Sequence, residues 1–165
     1  MASWVLAMII GSPFAASPLL AAEPQSACPP DMAVPPEYLH GRWSLQWWEW
    51  SSQADKEPPS IKGTVILFQH PEYAHSVRGQ LERQDATGQT TTAVLAGDLI
   101  DGLFKLDESA DGETMTGVWE GTPVPGSCAR SLMGTRWQAA ESGDADDSDD
   151  APRYQFRLDK IEPPR

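Results

Sequence analysis

The sequence predicts an all-β protein, an antiparallel up-and-down barrel of about eight strands. Short stretches rich in Val, Thr, Leu and Trp recur at a spacing of roughly ten residues, and turns rich in Gly, Asp and Pro separate them. No window repeats apolar residues with the helical period between capping residues. A sheet with this many strands closes to remove its edges, so a barrel is expected and a β-sandwich is the alternative.

The first half of the chain supplies four predicted strands. In the first, GRWSLQWWEW, Trp43 and Trp47 alternate with Trp48 and Trp50, so the two pairs point to opposite faces. The second, KGTVILFQH, is apolar on both faces, which predicts cover on both sides. A turn rich in Asp and Gly separates the third strand from the fourth. The four ranges are roughly 41–51, 62–70, 75–84 and 89–96.

The second half supplies four more strands. The fifth is interpreted as one continuous strand with a bulge near Asp101-Gly102. The last, RYQFRLDK, alternates apolar residues with charged ones, which is the pattern of a half-buried strand. Glycines in GRW, VRGQL, TGVW and MGTRW would supply the bends of a small barrel. The four ranges are roughly 98–108, 113–120, 129–139 and 153–160.

Residues 1–22 contain no charged side chain and are interpreted as a secretory signal peptide. Pro13 and Pro18 argue against a membrane-spanning helix, so no membrane insertion of the mature chain is expected. Cleavage is predicted after Ala22, with Ala27 as the alternative, and the product would be periplasmic or secreted. The mature chain would comprise a Pro-rich arm at 23–39 and one barrel domain at 40–165, with an acidic loop at 141–152.

The two cysteines, Cys28 and Cys128, are predicted to form a disulfide bond, because an exported chain meets an oxidising compartment. Closing a loop of about 100 residues would stabilise the fold by roughly 4 to 5 kcal/mol if the effect is purely one of chain entropy. Lipidation of Cys28 is the alternative, because small residues precede it. Gln25, however, stands where such a signal normally has an aliphatic residue.

The formal net charge of the chain is −12, and every charged residue follows the predicted signal peptide. This charge disfavours nucleic acid and anionic membrane surfaces as partners, because phosphate groups require a positive face. The segment ESGDADDSDD, residues 141–150, contains six acids and no base. We interpret it as a solvated loop that aids solubility.

Gly41-Arg42-Trp43 resembles the G-x-W sequence near the first strand of lipocalins and related calycin barrels. Avidins and small secreted bacterial metalloprotease inhibitors open similarly. The resemblance implies a small secreted β-barrel. The avidin biotin-loop pattern is absent after the first strand, so no ligand residue is carried over. The stretches HPEYAHSVRGQLER and DLIDGLFKLDESADGETMTGVWEGTPVPGSC are similar to uncharacterised exported bacterial proteins, which implies no activity.

No sequence motif predicts catalysis or a cofactor. His70, Glu72 and His75 are ligand types that suit zinc, but Pro71 and the spacing of the two His do not match a helical zinc motif, so a hairpin loop is favoured. The stretch 107–112 begins like a calcium-binding loop but lacks its final Glu and reads as a turn. No G-x-S-x-G stretch is present. We therefore expect neither a metal nor enzymatic activity, and a metal-dependent enzyme that uses His70, Glu72 and His75 is the third and least favoured hypothesis.

Four tryptophans define the first binding hypothesis. A small apolar or aromatic ligand would occupy the mouth of the barrel, on a wall formed by Trp43, Trp47, Trp119 and Trp137. An interior that is filled by side chains would count against this hypothesis.

The other face of the first predicted strand defines the alternative hypothesis. Trp48 and Trp50, together with Arg42, would contact another exported protein, such as a protease that the chain inhibits or an envelope assembly partner. The competing interpretation is that the Pro-rich arm folds back over Trp48 and Trp50, which would leave no free surface there.

Overall fold

The computed structural model describes residues 34–51, 56–139 and 153–161, and it confirms the predicted all-β class. Eight strands form a closed barrel in which every neighbouring pair is antiparallel and the last strand pairs with the first. The strands are β1 (Gly41–Glu49), β2 (Ile61–Gln69), β3 (Ser76–Asp85), β4 (Thr90–Ile100), β5 (Leu103–Ser109), β6 (Met115–Pro123), β7 (Ser131–Gln138) and β8 (Arg153–Lys160).

The alternation of side chains decides what fills the barrel. In β1 every second residue from Trp43 is buried, and the same period holds along the other strands. The inward side chains form one apolar core that includes three tryptophans and two phenylalanines. The members with at most 2% exposure include Trp43, Trp47, Trp119, Phe104, Phe156, Leu45, Leu67, Leu81, Leu95, Leu106, Leu132 and Leu158. The interior is therefore filled by side chains along most of its length.

The two ends of the barrel differ. At the proximal end, where β1 begins, a short 3₁₀ helix at Pro36–Leu39 packs on β2 and β3 and buries Leu39 completely. The indole of Trp43 donates a hydrogen bond to the Leu39 carbonyl at 2.8 Å, and Lys160 Nζ donates to the Tyr38 carbonyl at 2.5 Å. The helix is thus attached to both β1 and β8.

At the distal end β1 finishes, and β2, β4, β6 and β8 begin there because neighbouring strands run in opposite directions. The segments that connect strands at this end are 50–60, 86–89, 110–114 and 139–152. The predicted acidic loop is one of these connections, but its residues lie outside the described part of the chain.

The prediction of a bulge at Asp101-Gly102 was wrong. These two residues form the tight turn between β4 and β5, with Ile100 opposite Leu103. Both have positive φ, 51° for Asp101 and 78° for Gly102, which is the conformation that an Asp-Gly pair adopts in a two-residue hairpin. The fifth predicted strand was therefore the end of β4 joined to the whole of β5. A register shift does occur elsewhere, between Glu108 and Ser109.

Two other predictions concern residues that are only partly described. The predicted signal peptide and Cys28 lie outside the described residues, so the Cys28–Cys128 bond stays a prediction. Cys128 lies between β6 and β7 at the proximal end and is not a free cysteine. Within the described ranges, no helix has the length and apolar character needed to cross a membrane.

Candidate functional site: a charged layer beneath the distal mouth

A charged layer of three residues, Arg83, Glu108 and Arg136, lies inside the barrel near its distal end. Each residue occupies an inward position near the distal end of its strand, in β3, β5 and β7 respectively. The side chains of Glu108 and Arg136 are 1% and 7% exposed, whereas that of Arg83 is 21% exposed. Arg83 is therefore the member of the layer that solvent reaches most easily.

Glu108 is the centre of the charged layer. Its Oε1 accepts hydrogen bonds from Arg83 Nη1 at 2.9 Å and from Arg136 Nη2 at 3.2 Å. Its Oε2 accepts from the indole of Trp119 at 2.9 Å and from Arg136 Nε at 3.3 Å. Both carboxylate oxygens are thus fully used, and two guanidinium groups face one carboxylate. The layer carries one excess positive charge in a chain whose net charge is −12.

Trp47 lies directly against the charged layer. The guanidinium carbons of Arg83 and Arg136 lie 4.8 and 5.3 Å from the centre of its ring, within the range of cation–π attraction. Trp119 and Tyr154 make edge-on contacts with it at 5.5 and 4.8 Å. Trp47 Nε1 is buried and has no hydrogen-bond partner among the described residues. An aromatic and guanidinium cluster therefore underlies the distal mouth.

The sequence contains a signal for this layer. Val77, Gly79 and Leu81 share one face of the third strand by alternation, and extending that face by two residues reaches Arg83. The same extension from Phe104 and Leu106 reaches Glu108. In the sequence, this signal is a charged residue at a position that alternation assigns to the inner face of a strand. Two such residues of opposite charge predict a buried ion pair.

The tryptophans predicted to line a mouth do not all lie together. Trp43, Trp47 and Trp119 point inward, but Trp43 is at the proximal end and the other two are near the distal end. The placement of Trp137 on the inner wall was wrong. Arg136 takes the inward position in β7, so Trp137 points outward and is only half-buried.

Trp48, Trp50 and Arg42 lie on the outer surface of β1 or just beyond it. Trp50 is 56% exposed. Trp48 is half-buried, and its indole donates a hydrogen bond to the Glu57 carbonyl at 2.8 Å. The described part of the Pro-rich arm, residues 34–39, is at the proximal end, whereas both tryptophans are at the distal end. The neighbour of Trp48 is therefore the β1–β2 connection and not these residues of the arm.

The loop between β2 and β3 holds His70, Glu72 and His75 at the proximal end. The Nδ1 atom of His70 accepts hydrogen bonds from the backbone N–H groups of Glu72 and Tyr73, at 3.2 and 3.3 Å. His70 thus organises its own loop. In the ranges that the structure covers, no three His, Cys, Asp or Glu side chains form a group that could hold a metal ion.

Similarity to known proteins is found at the level of solved structures and not at the level of family models or curated sequences. No protein-family model matches the chain. No curated protein sequence matches it either. Among solved structures, one described as a de novo designed fluorescence-activating β-barrel is similar, with 16% sequence identity and a TM-score of 0.48. The similarity covers 76% of this chain and 96% of the designed barrel.

Proposed function

We propose that the chain is an exported, non-catalytic binding protein of calycin-like type. Its ligand is a small aromatic or apolar molecule held at the distal mouth. The charged layer against Trp47 carries this proposal. Burying charges costs free energy that an apolar filling would not, so such a layer contributes little to stability and is better explained by a role in binding.

The exposure of the layer indicates how a ligand would enter. Arg83 retains 21% of its side-chain exposure and lies over the face of Trp47 at 4.8 Å. An aromatic ring that inserts at the mouth would stack on the Arg83 guanidinium and then meet Tyr154, which is half-buried. The interior beneath Trp47 is filled by apolar side chains, which counts against a ligand cavity lined by the four tryptophans. The proposed site is therefore limited to the mouth. Trp43 would serve only as part of the wall at the closed proximal end.

One observation favours binding over catalysis at the charged layer. Both oxygens of Glu108 accept hydrogen bonds from basic or indole groups, so neither is available as a general base. The calycin-like assignment is supported by Trp43 of the G-x-W sequence, which is fully buried near the start of β1 in a closed barrel. Export is supported by the uncharged first 22 residues.

A titration of the mature chain with two aromatic probes tests the mouth. Anilinonaphthalene sulfonate and neutral naphthol should bind and change the tryptophan emission. Arg83→Leu should weaken binding by roughly tenfold, because it removes the stacking cation. Arg78→Leu, the same change on the outer face of the same strand, should leave binding unchanged. If neither probe binds, or if both variants behave alike, the proposed site is wrong.

Export is tested separately by expressing residues 1–165 in a bacterium. The chain should be recovered from the periplasm or the medium with Glu23 as its first residue. Retention of an intact Met1 terminus in the cytoplasm would contradict export without bearing on the mouth.

A further inference from the structure

The outer surface of the barrel divides into a basic half and an acidic half. On β7, β8, β1 and β2 the outward positions hold four basic residues, Arg42, Lys62, Arg153 and Arg157, and one acid, Asp159. On β3 to β6 they hold four acids, Glu82, Asp98, Asp107 and Glu120, and two basic residues, Arg78 and Lys105. We call the outer surface of β7, β8, β1 and β2 the basic face.

The outward-facing tryptophans lie on this basic face, and Trp50 is the exposed one among them. Trp137 in β7 is directly opposite Arg153 in β8. On the other side of Arg153, the backbone N–H of Trp50 donates to its carbonyl at 3.1 Å. Trp50, Arg153 and Trp137 therefore form a row across three adjacent strands. Neighbouring strands are about 4.8 Å apart, so the two tryptophans are separated by roughly 10 Å.

The next rows toward the proximal end continue the surface. Trp48 lies opposite Gln155 in the second row. In the third row Gln46 lies between Lys62 and Arg157. Arg157 pairs with Asp159 at 2.9 Å, whereas Lys62 forms no ion pair within the described residues. The basic face thus combines an aromatic edge with a neighbouring band of positive charge.

We propose that the basic face docks an acidic, apolar-rich segment of another protein. Tryptophan and arginine are the residues that contribute most strongly to protein interfaces, and here they occupy one row. Because the positive charge is confined to one side of an acidic protein, it favours a partner whose negative charge is confined to a short segment. The net charge of −12 repels extended polyanions such as nucleic acid or an anionic bilayer beyond the patch, whereas a short acidic segment stays within about 8 Å of it, one Debye length.

This docking site is independent of the ligand site at the mouth. Outward residues of β7, β8, β1 and β2 form it, while the charged layer points inward from β3, β5 and β7. Arg136 and Trp137 are consecutive residues that belong to the two different sites. A substitution on one face can therefore be tested without removing a side chain from the other.

Fluorescence anisotropy of the mature chain with a labelled peptide that alternates Glu with Leu and Phe tests the proposal. The peptide should bind, and a peptide with Lys in place of Glu should not. Trp50→Ala should weaken binding by about tenfold or more, as expected for a central interface tryptophan. Ile100→Ala, at a side chain of 64% exposure on the acidic half, is the matched control and should have no effect.

Two double variants test how the positive charge of the basic face contributes to peptide binding. Lys62→Gln with Arg157→Gln should weaken peptide binding and reduce its dependence on salt. Arg78→Gln with Lys105→Gln removes from the acidic half one ion-paired base and one base that has no ion pair within the described residues, and it should leave binding unchanged. Lys105 pairs with Glu120 at 2.6 Å, as Arg157 pairs with Asp159, so the two double variants are comparable.

Three results would overturn the docking proposal. The acidic peptide could fail to bind, the control variants could weaken binding as much as those on the basic face, or duplex DNA, anionic vesicles or a neutral oligosaccharide could bind in its place. Anilinonaphthalene sulfonate binding in the Trp50→Ala variant reports on the mouth separately, so failure of one site is distinguishable from failure of the other.

Discussion

Glu108 and Arg136 form an ion pair inside the barrel, with contacts of 3.2 and 3.3 Å between the carboxylate oxygens and the guanidinium nitrogens. The pair joins β5 to β7, two strands that are not neighbours in the sheet. It therefore spans β6 on the inner wall beneath the distal mouth, where Trp47 and Trp119 pack against it.

Glu108→Ala is expected to destabilise the protein by about 3 to 5 kcal/mol, because it leaves the buried Arg136 without its partner. Urea unfolding of the variant and the parent measures this loss. Replacing the whole charged layer with Met or Leu should be neutral or stabilising, since no charge then remains buried. Equal losses in the single and triple variants would show that the layer itself stabilises the fold.

The substitution of Gly by Ala is expected to lower stability by different amounts at two positions, Gly134 and Gly117. A Cβ on Gly134 would lie 1.9 Å from the Glu120 carbonyl oxygen, which is backbone and cannot move away. A Cβ on Gly117 would lie 2.3 Å from the Arg136 guanidinium, the end of a long side chain that can shift while it keeps part of its contact with Glu108. Gly134→Ala should therefore cost about 1 to 3 kcal/mol or more, and Gly117→Ala less.

Thermal unfolding of both variants checks this order. Gly117→Ala should also weaken the Arg136 contact with Glu108, so that a following Glu108→Ala costs less than it does in the parent. The reverse order of stabilities would mean that β6 and β7 separate more easily than their close approach indicates.

Acid is expected to destabilise the hairpin turns before the core. Hydrogen bonds from the backbone N–H groups of Thr114 and Glu113 lower the pKa of Asp111, and the Thr87 hydroxyl followed by the backbone N–H of Gln89 lowers that of Asp85. A carboxyl group whose pKa is lowered by folding stabilises the protein above its unfolded pKa. That stabilisation is lost as the pH falls through the lower folded pKa.

Asp111→Ala should accordingly reduce stability at pH 7, and the difference from the parent should shrink below the ordinary carboxyl pKa of about 3.9. Urea unfolding at a series of pH values measures the difference. A difference that stays constant into strong acid would show that Asp111 acts through its shape and not through its charge.

The predicted disulfide can be tested by chemical means. Thiol titration of the unfolded, exported chain should find no free thiol. Cys128→Ser should lower the free energy of unfolding by up to about 4 to 5 kcal/mol, because the unfolded chain would lose a loop constraint of about 100 residues. Cys28→Ser is the matched control and should give the same loss. Unequal losses, or two titratable thiols, would contradict a bond between these cysteines.

The sequence by itself determined the number of strands, their order and which residues alternate, because a half-buried strand shows its two faces directly as a period of two. The β4–β5 turn was missed because Asp101-Gly102 was interpreted as a bulge, although Asp-Gly is a strong hairpin signal. Trp137 was placed on the inner wall together with Trp43, Trp47 and Trp119. The period counted from Leu132 assigns the inward position to Arg136.

Only the tertiary structure decided which side chains meet. Closure of the barrel brings Arg83, Glu108 and Arg136 together from three strands that are distant in the chain. Closure also places Trp137 beside Arg153 and Trp50, across strands whose sequence separation is about 15 to 100 residues. Alternation is a local property, whereas contact across a barrel depends on strand register, which hydrogen bonds between remote segments establish.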